Sequence, residues 1–291
     1  MKPASFEYVR PASLADALEA LHQHGDDAKV LAGGQSLVPM MNFRLARPAV
    51  LVDLNALPEL AYIRAAGDGL TLGAMTRQRQ IEKSPVVRER SPLLAEATPL
   101  IGHLPIRTRG TIGGSLVHAD PAAEYPVVMV ALEAEFTVAR KEGTRRVAAA
   151  DFFQTYLSTA IAADEILTDV HVPGLPPGAG SAFLEISRRH GDFALVAAAA
   201  AVEVDPSGRI VSSRIALGGV GPTPVRARPA ETMLAGQQPT PALLRAAAAT
   251  VMDQTDPPDD IHASAEYRRE MSAVFTRRAL TAALAKLDIR V

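Results

Sequence analysis

The stretch that decides the fold is RGTIGGSLVHADPAAE, residues 109–124, in which a glycine pair lies between two hydroxyl residues and precedes two carboxylates. Glycine lets backbone N–H groups approach a ligand closely, and consecutive N–H groups in a turn form a nest for anions. We expect the chain to become helical near Ala122, so that a helix N-terminus adds partial positive charge. The pattern predicts a phosphate cradle followed by carboxylates for ribose hydroxyls; a plain glycine turn is the alternative.

A second glycine pair occurs in Val30-Leu31-Ala32-Gly33-Gly34-Gln35-Ser36-Leu37, directly after a predicted buried strand. With a helix capped by Ser13 and ended by Gly25, and a strand over 49–54, it forms a β-α-β unit over about residues 1–55. The loop then lies at a strand's carboxyl end, where α/β proteins bind ligands. Its glycine spacing does not match Gly-x-Gly-x-x-Gly, which argues against a Rossmann fold.

Two such loops could hold a diphosphate from opposite sides. Neither loop contains Lys or Arg. The grip would therefore come from backbone N–H groups and from the hydroxyls of Ser36, Thr111 and Ser115.

The rest of the chain alternates strands and helices. Periodicity and turn residues predict a hairpin about Gly67–Gly69, helices over 77–83, 92–97 and 125–132, strands over 134–139, 145–148 and 165–172, and a helical piece over 151–155. Residues 173–180 are rich in Pro and Gly and predict a domain boundary. Beyond them we expect antiparallel strands over 182–187, 194–204 and 209–217, a helix over 243–252, and a last helix whose core-facing stripe is Tyr267, Met271, Val274, Leu280 and Leu284.

Composition restricts the class of protein. The 291 residues are 48% hydrophobic with a net charge of −2 and a pI near 6.4, which gives no electrostatic footprint for nucleic acid. The longest apolar run, 193–202, is too short to span a bilayer, and the N-terminus lacks a signal-peptide core, so a cytoplasmic location is expected. The chain has no cysteine, which excludes disulfides, thiolate nucleophiles and Cys-ligated iron–sulfur clusters.

Several polar residues near the central stretch have two interpretations. His118 and Asp120 could bind a metal, but loop polarity beside a phosphate site explains them as well. His103, Arg107 and Arg109 could steer an anion or form a solvated loop. A third glycine-rich segment, 218–224, follows a predicted strand and is interpreted as a structural turn.

Together, the two glycine loops resemble the FAD-binding medium subunit of molybdenum hydroxylases, the carbon monoxide dehydrogenase and xanthine dehydrogenase family. The similarity rests on 30–37 and on 111–124, and it extends from Phe6–Pro11 to Ser264–Arg269. It implies an α+β fold: a vanillyl-alcohol-oxidase-type (PCMH) FAD-binding domain over 1–175, with subdomains of about 1–55 and 56–175. A C-terminal domain of antiparallel sheet plus helices follows over 181–291.

The resemblance implies FAD as the cofactor and no catalytic acid, base or metal ligand on this chain. Its implied pyrophosphate contacts are Val30, Leu31, Ala32, Gly33, Gly34, Gln35, Ser36, Leu37, Thr111, Gly113, Gly114 and Ser115. Its other implied contacts are Asp120 and Glu124, the latter at the adenosine half, and Ile101, Ile166, Leu167, Asp192 and Phe193 near the flavin ring. Relatives often have Tyr at the Phe193 position and a basic residue near Glu185, which leaves flavin tuning and the electron acceptor open.

The resemblance also implies partner subunits. A large subunit would carry the molybdenum cofactor and hydroxylate the substrate, a small one would carry two iron–sulfur clusters, and the complex would be a dimer of heterotrimers. This chain would pass electrons through FAD to an acceptor. The alternatives are a stand-alone FAD-dependent oxidase or reductase, and a non-catalytic nucleotide-binding assembly subunit.

Overall fold

The computed structural model describes residues 2–291 and begins with a small parallel sheet. Its elements are β1 (Glu7–Val9), α1 (Leu14–His24), β2 (Ala28–Leu31), α2 (Leu37–Asn42) and β3 (Val50–Asp53). Strand β3 lies in the middle and pairs in parallel with both neighbours. The expected β-α-β unit is therefore present, with the first glycine loop at the carboxyl end of β2.

The first helix forms as its caps predict. Ser13 accepts a hydrogen bond from the Asp16 N–H, and Gly25 ends the helix at a φ of 51°. Its apolar side buries Leu18 and Leu21 with Val52, in a hydrophobic cluster distinct from the largest core. Packing in this cluster positions the loop that follows β2.

A five-stranded antiparallel sheet with helices forms the second unit, in the strand order β4-β5-β10-β6-β7. Its strands are β4 (Ile63–Ala66), β5 (Gly69–Gly73), β6 (Glu135–Arg140), β7 (Gly143–Ala148) and β10 (Ile166–Val172), with the short pair β8 (Phe153–Thr155) and β9 (Ser158–Thr159) beside them. Its helices are α3 (Gln78–Lys83), α4 (Pro85–Arg90), α5 (Pro92–Ala97), α6 (Leu104–Arg109), α7 (Ile112–His118), α8 (Glu124–Leu132) and α9 (Ala149–Phe152). Helix α8 is buried on all sides and forms the centre of the largest hydrophobic core.

The third unit is an antiparallel sheet in the order β11-β12-β13-β14, covered by helices. Its elements are β11 (Ala179–Ile186), β12 (Val196–Val204), β13 (Ile210–Gly218), β14 (Val225–Arg226), α10 (Arg228–Leu234), α11 (Pro241–Ala249) and α12 (Ala265–Ala285). Short 3-10 turns occupy Gly25–Asp27, Leu54–Ala56, Pro58–Leu60, Thr98–Leu100 and Thr250–Gln254.

This third sheet is buried on both faces. Along β12, Ala197 and Ala199 pack into the core of the second unit, while Ala198 and Ala200 pack under the C-terminal helices. The strand therefore reads as an unbroken apolar run rather than an alternating one. Helix α8 approaches the sheet closely: on the neighbouring strand β13, a Cβ on Gly218 would lie 2.5 Å from the Val127 side chain.

The structure corrects three local predictions. The glycine pair at 113–114 lies inside α7, a helix that the sequence analysis did not predict, whereas the helix expected near Ala122 is present as α8. The helical piece expected over 151–155 ends at Phe152, where the chain becomes β8. The buried face of α12 is formed by Arg268, Ser272, Phe275, Thr276, Ala279, Leu280, Ala283 and Leu284, whereas Tyr267 of the expected stripe is 37% exposed.

Candidate cofactor site

A cavity of about 750 Å³ opens where the units meet. Its walls come from the loop after β2, from the residues around α7 and the start of β10, and from the Gly191–Phe193 segment of the third unit. A volume of this size lies in the range of small-molecule and cofactor sites.

The structure brings the predicted site residues together with one exception. The side chain of Leu31 lies outside the cavity wall and beside Gly34. The predicted residues that line the cavity are Val30, Ala32, Gly33, Gly34, Gln35, Ser36, Leu37, Ile101, Thr111, Gly113, Gly114, Ser115, Asp120, Glu124, Ile166, Leu167, Asp192 and Phe193.

The first glycine loop presents unused backbone donors. Within residues 2–291, the N–H groups from Gly33 to Leu37 donate to no protein oxygen. Gly34 takes a φ of +73°, a left-handed conformation of the kind in which successive N–H groups form an anion-binding nest. The loop therefore offers a run of backbone donors from which an anion in the cavity can accept hydrogen bonds.

The second glycine loop is different, and the expected nest of free N–H groups there is wrong. Gly113 donates to the Ala74 carbonyl at 2.8 Å, and Gly114 donates to the Thr111 hydroxyl at 3.0 Å. Ile112 and Ser115 donate to the carbonyls of Thr76 and Thr111. Thr111 is therefore the N-cap of α7, and this loop offers the cavity side chains rather than free backbone donors.

Close packing explains why glycine occupies both loops. A Cβ on Gly113 would lie 2.7 Å from the Ala74 carbonyl oxygen, and one on Gly33 would lie 2.5 Å from that of Arg109. The first loop thus rests directly on the backbone that leads into α7. The two motifs form one contact surface between the first and second units.

A polar bridge that the sequence analysis missed holds the same contact surface. The Asn55 side-chain amide donates to the Ala32 carbonyl at 2.9 Å and accepts from Arg77 at 2.6 Å. Arg77 also donates to the Arg109 carbonyl. Neither Asn55 nor Arg77 belongs to a recognisable motif, so only the folded chain shows that they connect the two loops.

Part of the cavity wall is apolar and buried. Ile101, Ile166 and Leu167 are all less than a tenth exposed and line its wall, while Phe193 is 58% exposed at the rim. Glu165, just before β10, accepts from the Arg145 guanidinium at 2.7 and 2.6 Å. The hydrogen bonds from Arg145 lower the pKa of the Glu165 carboxyl below its usual value, so it is ionised at neutral pH.

Carboxylates dominate the polar wall near α8. Burial raises the pKa of Glu124 to about 8, with the negative charge of Glu185 as the next cause. Asp120 accepts from the Ala122 N–H at 2.9 Å, and Asp192 has a buried oxygen without a hydrogen-bond partner in the described part of the chain. Lys29 supplies the single Lys or Arg side chain among the described residues that line the cavity.

The remaining polar candidates have structural roles or open surroundings. Both interpretations of Arg107 are wrong: it is 8% exposed, donates to Glu82 at 2.9 Å and donates to the Ile101 carbonyl at 2.9 Å. His103 is exposed and lies across from His190, with ring centroids 6.2 Å apart. From residue 2 onward, no group of three or more His, Asp or Glu side chains is arranged to hold a metal ion.

Comparison with known proteins agrees with this geometry. The family described as the FAD binding domain in molybdopterin dehydrogenase matches residues 4–175, and the CO dehydrogenase flavoprotein C-terminal domain matches residues 181–283. The 6-hydroxypseudooxynicotine dehydrogenase complex subunit alpha of Paenarthrobacter nicotinovorans is 43% identical over 98% of this chain and 96% of its own length. Caffeine dehydrogenase subunit beta of Pseudomonas sp. strain CBB1 is 37% identical over 100% of this chain and 99% of its own.

A solved structure agrees as well. Carbon monoxide dehydrogenase from Hydrogenophaga pseudoflava, in a form lacking the Mo-pyranopterin moiety, superposes with a TM-score of 0.96 at 40% identity. The match covers 98% of this chain and 99% of that one. Fold and cavity thus define an FAD-binding oxidoreductase subunit. The chain belongs to the family of FAD-binding medium subunits of molybdenum hydroxylases, as its two glycine loops predict.

The residues of the cavity fit FAD. Free N–H groups from Gly33 to Leu37 suit a pyrophosphate, which carries negative charge and accepts hydrogen bonds. The buried apolar wall suits a flat ring system. In the described chain, no helix is both long enough and apolar enough to cross a membrane.

Proposed function

We propose that this chain transfers electrons through FAD between the iron–sulfur clusters of a partner subunit and a terminal acceptor. The observation that carries the proposal is the loop from Gly33 to Leu37, whose residues line the cavity and whose backbone donors are unpaired. An unpaired run of donors stabilises a bound anion without a Lys or Arg in the loop.

We further propose how the wall residues divide the cofactor between them. The cradle loop and the hydroxyls of Thr111 and Ser115 bind the pyrophosphate, and Glu124 and Asp120 lie at the adenosine half. Ile101, Ile166 and Leu167 contact the ring, with Asp192 and Phe193 at its border. When bound, FAD supplies one- and two-electron redox chemistry. This chain's own residues position the cofactor and exclude water from its apolar end.

Separate partner subunits complete the proposed enzyme. A large subunit holds the molybdenum cofactor and a small one holds the iron–sulfur clusters, since this chain has no cysteine to ligate them. We propose a dimer of such heterotrimers, a cytoplasmic location, and domain boundaries at 1–175 and 181–291. The relatives are named for different substrates, yet each aligns over nearly its whole length, which supports substrate selection in another subunit.

Expression with and without partner chains tests the proposal. The purified protein is expected to be yellow, with a flavin absorbance spectrum, and to co-purify with a molybdenum-containing chain and a Cys-rich chain. Reduction of its flavin by substrate should require those chains. Turnover of an organic substrate by this chain alone would overturn the electron-transfer role, and a colourless protein that takes up no FAD would overturn the cofactor assignment.

A further inference from the structure

A buried glutamine in the cavity wall has an amide oxygen that the protein does not use. Gln78, the first residue of α3, is 4% exposed and lines the cavity. Within residues 2–291, its side-chain oxygen Oε1 is buried and has no hydrogen-bond partner. A buried amide group without a partner destabilises a fold, because its hydrogen bonds to water are lost and not replaced. Glutamine at this position therefore needs an explanation outside the protein's own hydrogen bonds.

Backbone contacts hold Gln78 against the segment that leads into α7. The Gln78 N–H donates to the Gly110 carbonyl at 2.9 Å, and the preceding residue, Arg77, forms an isolated β-bridge with Thr111. The side chain lies against the same segment, since a Cβ on Gly110 would come within 2.6 Å of Gln78 Oε1. Glycine at position 110 thus leaves the space that the amide occupies.

The same glycine contacts the cradle loop, Gly33–Leu37. A Cβ on Gly33 would lie 2.7 Å from the Gly110 Cα. Gly110 therefore touches both the cradle loop and the Gln78 side chain, which places the amide close to the anion-binding part of the cavity. The ion pair that joins α3 to α6, Glu82 with Arg107 at 2.9 Å, is complete without Gln78.

We propose that Gln78 is a cofactor-binding residue whose carboxamide hydrogen-bonds an oxygen in the chain between the flavin ring and the adenosine of FAD. The inference rests on the proposed FAD-binding function. The ribityl part of that chain carries hydroxyls, which donate and accept, and the diphosphate carries oxygens that accept. A carboxamide has both an acceptor oxygen and a donor NH2 group, so it can pair with either part.

This role also compensates for the second glycine loop. The N–H groups of Gly113 and Gly114 are used within the protein, so that loop gives the cofactor no backbone donors at these positions. A side-chain amide beside Gly110 supplies a polar contact on the same segment of chain. Loss of the amide should therefore weaken FAD binding without weakening the fold, because no hydrogen bond of Oε1 within the protein is lost.

The test compares Gln78→Met with Gln254→Met. Methionine keeps an unbranched side chain of similar length and removes the amide. Gln254 is a half-buried glutamine of the third unit whose amide donates to the Thr250 carbonyl at 3.0 Å, so its replacement removes a hydrogen bond made within the protein.

The measurements use the full chain together with any subunits that co-purify, after removal of resident flavin. Thermal denaturation without FAD reports the stability of the fold. Flavin fluorescence gives the dissociation constant of FAD, and calorimetry gives that of ADP, which lacks the ribityl chain and the ring.

Gln78→Met should raise the FAD dissociation constant about tenfold, the effect of losing one hydrogen bond, and should melt no lower than wild type without FAD. Gln254→Met should bind FAD as wild type does. A parallel loss of ADP affinity in Gln78→Met assigns the hydrogen bond to the diphosphate, and an unchanged ADP affinity assigns it to the ribityl chain.

Two results would overturn the inference while FAD binding by wild type stays intact. One is an unchanged FAD affinity in Gln78→Met, and the other is a lower melting temperature of this variant without FAD, which would make Gln78 a residue of the fold. A wild-type chain that binds no FAD would overturn the proposed function and this inference with it.

Discussion

At the scale of single residues, the two glycine pairs have different physical roles. Gly34 needs a positive φ to open the cradle, whereas Gly113 lets α7 touch the Ala74 carbonyl. The sequence indicates that both pairs matter. It does not show the difference, because the acceptor of the Gly113 N–H, the Ala74 carbonyl, is distant along the chain.

Replacement of Gly34 tests the cradle directly. Gly34→Ala forces an L-residue into the left-handed region at a cost of about 1–2 kcal/mol, and relaxation turns the N–H groups away from the cavity. We expect the FAD dissociation constant to rise about tenfold, since 1.4 kcal/mol is a factor of ten. Gly236→Ala carries the same strain at a φ of +76° in open space and should leave FAD affinity unchanged. Equal affinities in the two variants would refute the cradle.

The Thr111 hydroxyl gives a second prediction. Thr111→Val removes the cap that receives the Gly114 N–H in a buried position, and loss of an N-cap costs about 1 kcal/mol. The variant should therefore unfold at a lower temperature and bind FAD less tightly. Thr111→Ser keeps the hydroxyl and should retain both properties in thermal denaturation and flavin titration; a Val variant as stable as wild type would show that the cap is dispensable.

At the scale of elements, an ion pair lies directly before the first residue of strand β10. Its span is nearly predictable from the alternating pattern over 165–172, but the Glu165–Arg145 pair depends on β7, and no local pattern specifies it. The pair fixes the chain just before Ile166 and Leu167 enter the cavity wall.

Acid titration tests this pair. The pKa of Glu165 is lowered in the folded state, so its contribution to stability is present above its unfolded value of 4.5 and disappears as pH falls through the folded pKa. Arg145→Met should therefore lower the melting temperature by a few degrees at pH 7 and by less near pH ~3. The exposed pair of Arg146 with Glu135 provides the control, and Arg146→Met should have little effect at either pH.

For helix α12, hydrophobic periodicity predicted only part of the buried face. Its buried face includes Arg268, which the predicted apolar stripe left out. Hydrophobicity alone cannot recognise a buried arginine whose two terminal nitrogens donate to groups outside its own helix. Arg268 donates to the Leu195 carbonyl and pairs with Asp260 at 2.7 Å. It thereby holds the helix against the end of the third sheet.

Conservative replacement of Arg268 should be costly. Lysine cannot reproduce the planar fork of donors, so Arg268→Lys is expected to reduce the free energy of unfolding by about 2–3 kcal/mol. Arg277→Lys, at an exposed position of the same helix, should change it by less than about 0.5 kcal/mol. Chemical denaturation compares the two, and similar values for both would mean that the buried contacts of Arg268 carry no stability.

At the scale of the whole molecule, the third sheet joins two cores. Its outer face belongs to the C-terminal helices and its inner face, through Phe183 and Ala197, belongs to the core around α8. Local sequence patterns predicted most strands and helices of each unit. They could not predict that the third sheet would be buried on both faces, because the layers that cover it come from distant parts of the chain.

Truncation tests the shared core. A fragment of residues 1–178 lacks the sheet, so the apolar side of α8 becomes exposed, and we expect it to aggregate or bind the dye ANS. Co-expression with residues 179–291 should restore a compact, dye-free assembly. A monomeric, dye-free fragment 1–178 would show that the first two units are sufficient for their own core.

The contact of Gly33 with the Arg109 backbone has a consequence for sequence change over time. Because a Cβ there would come within 2.5 Å of a main-chain oxygen, no substitution at 109 can make room for a side chain at 33. Sequence change at Gly33 is thus limited by backbone atoms, which no substitution can remove, and not by a neighbouring side chain. Grafting the cradle onto another scaffold would require transplanting both segments as one unit, with Asn55 and Arg77 included.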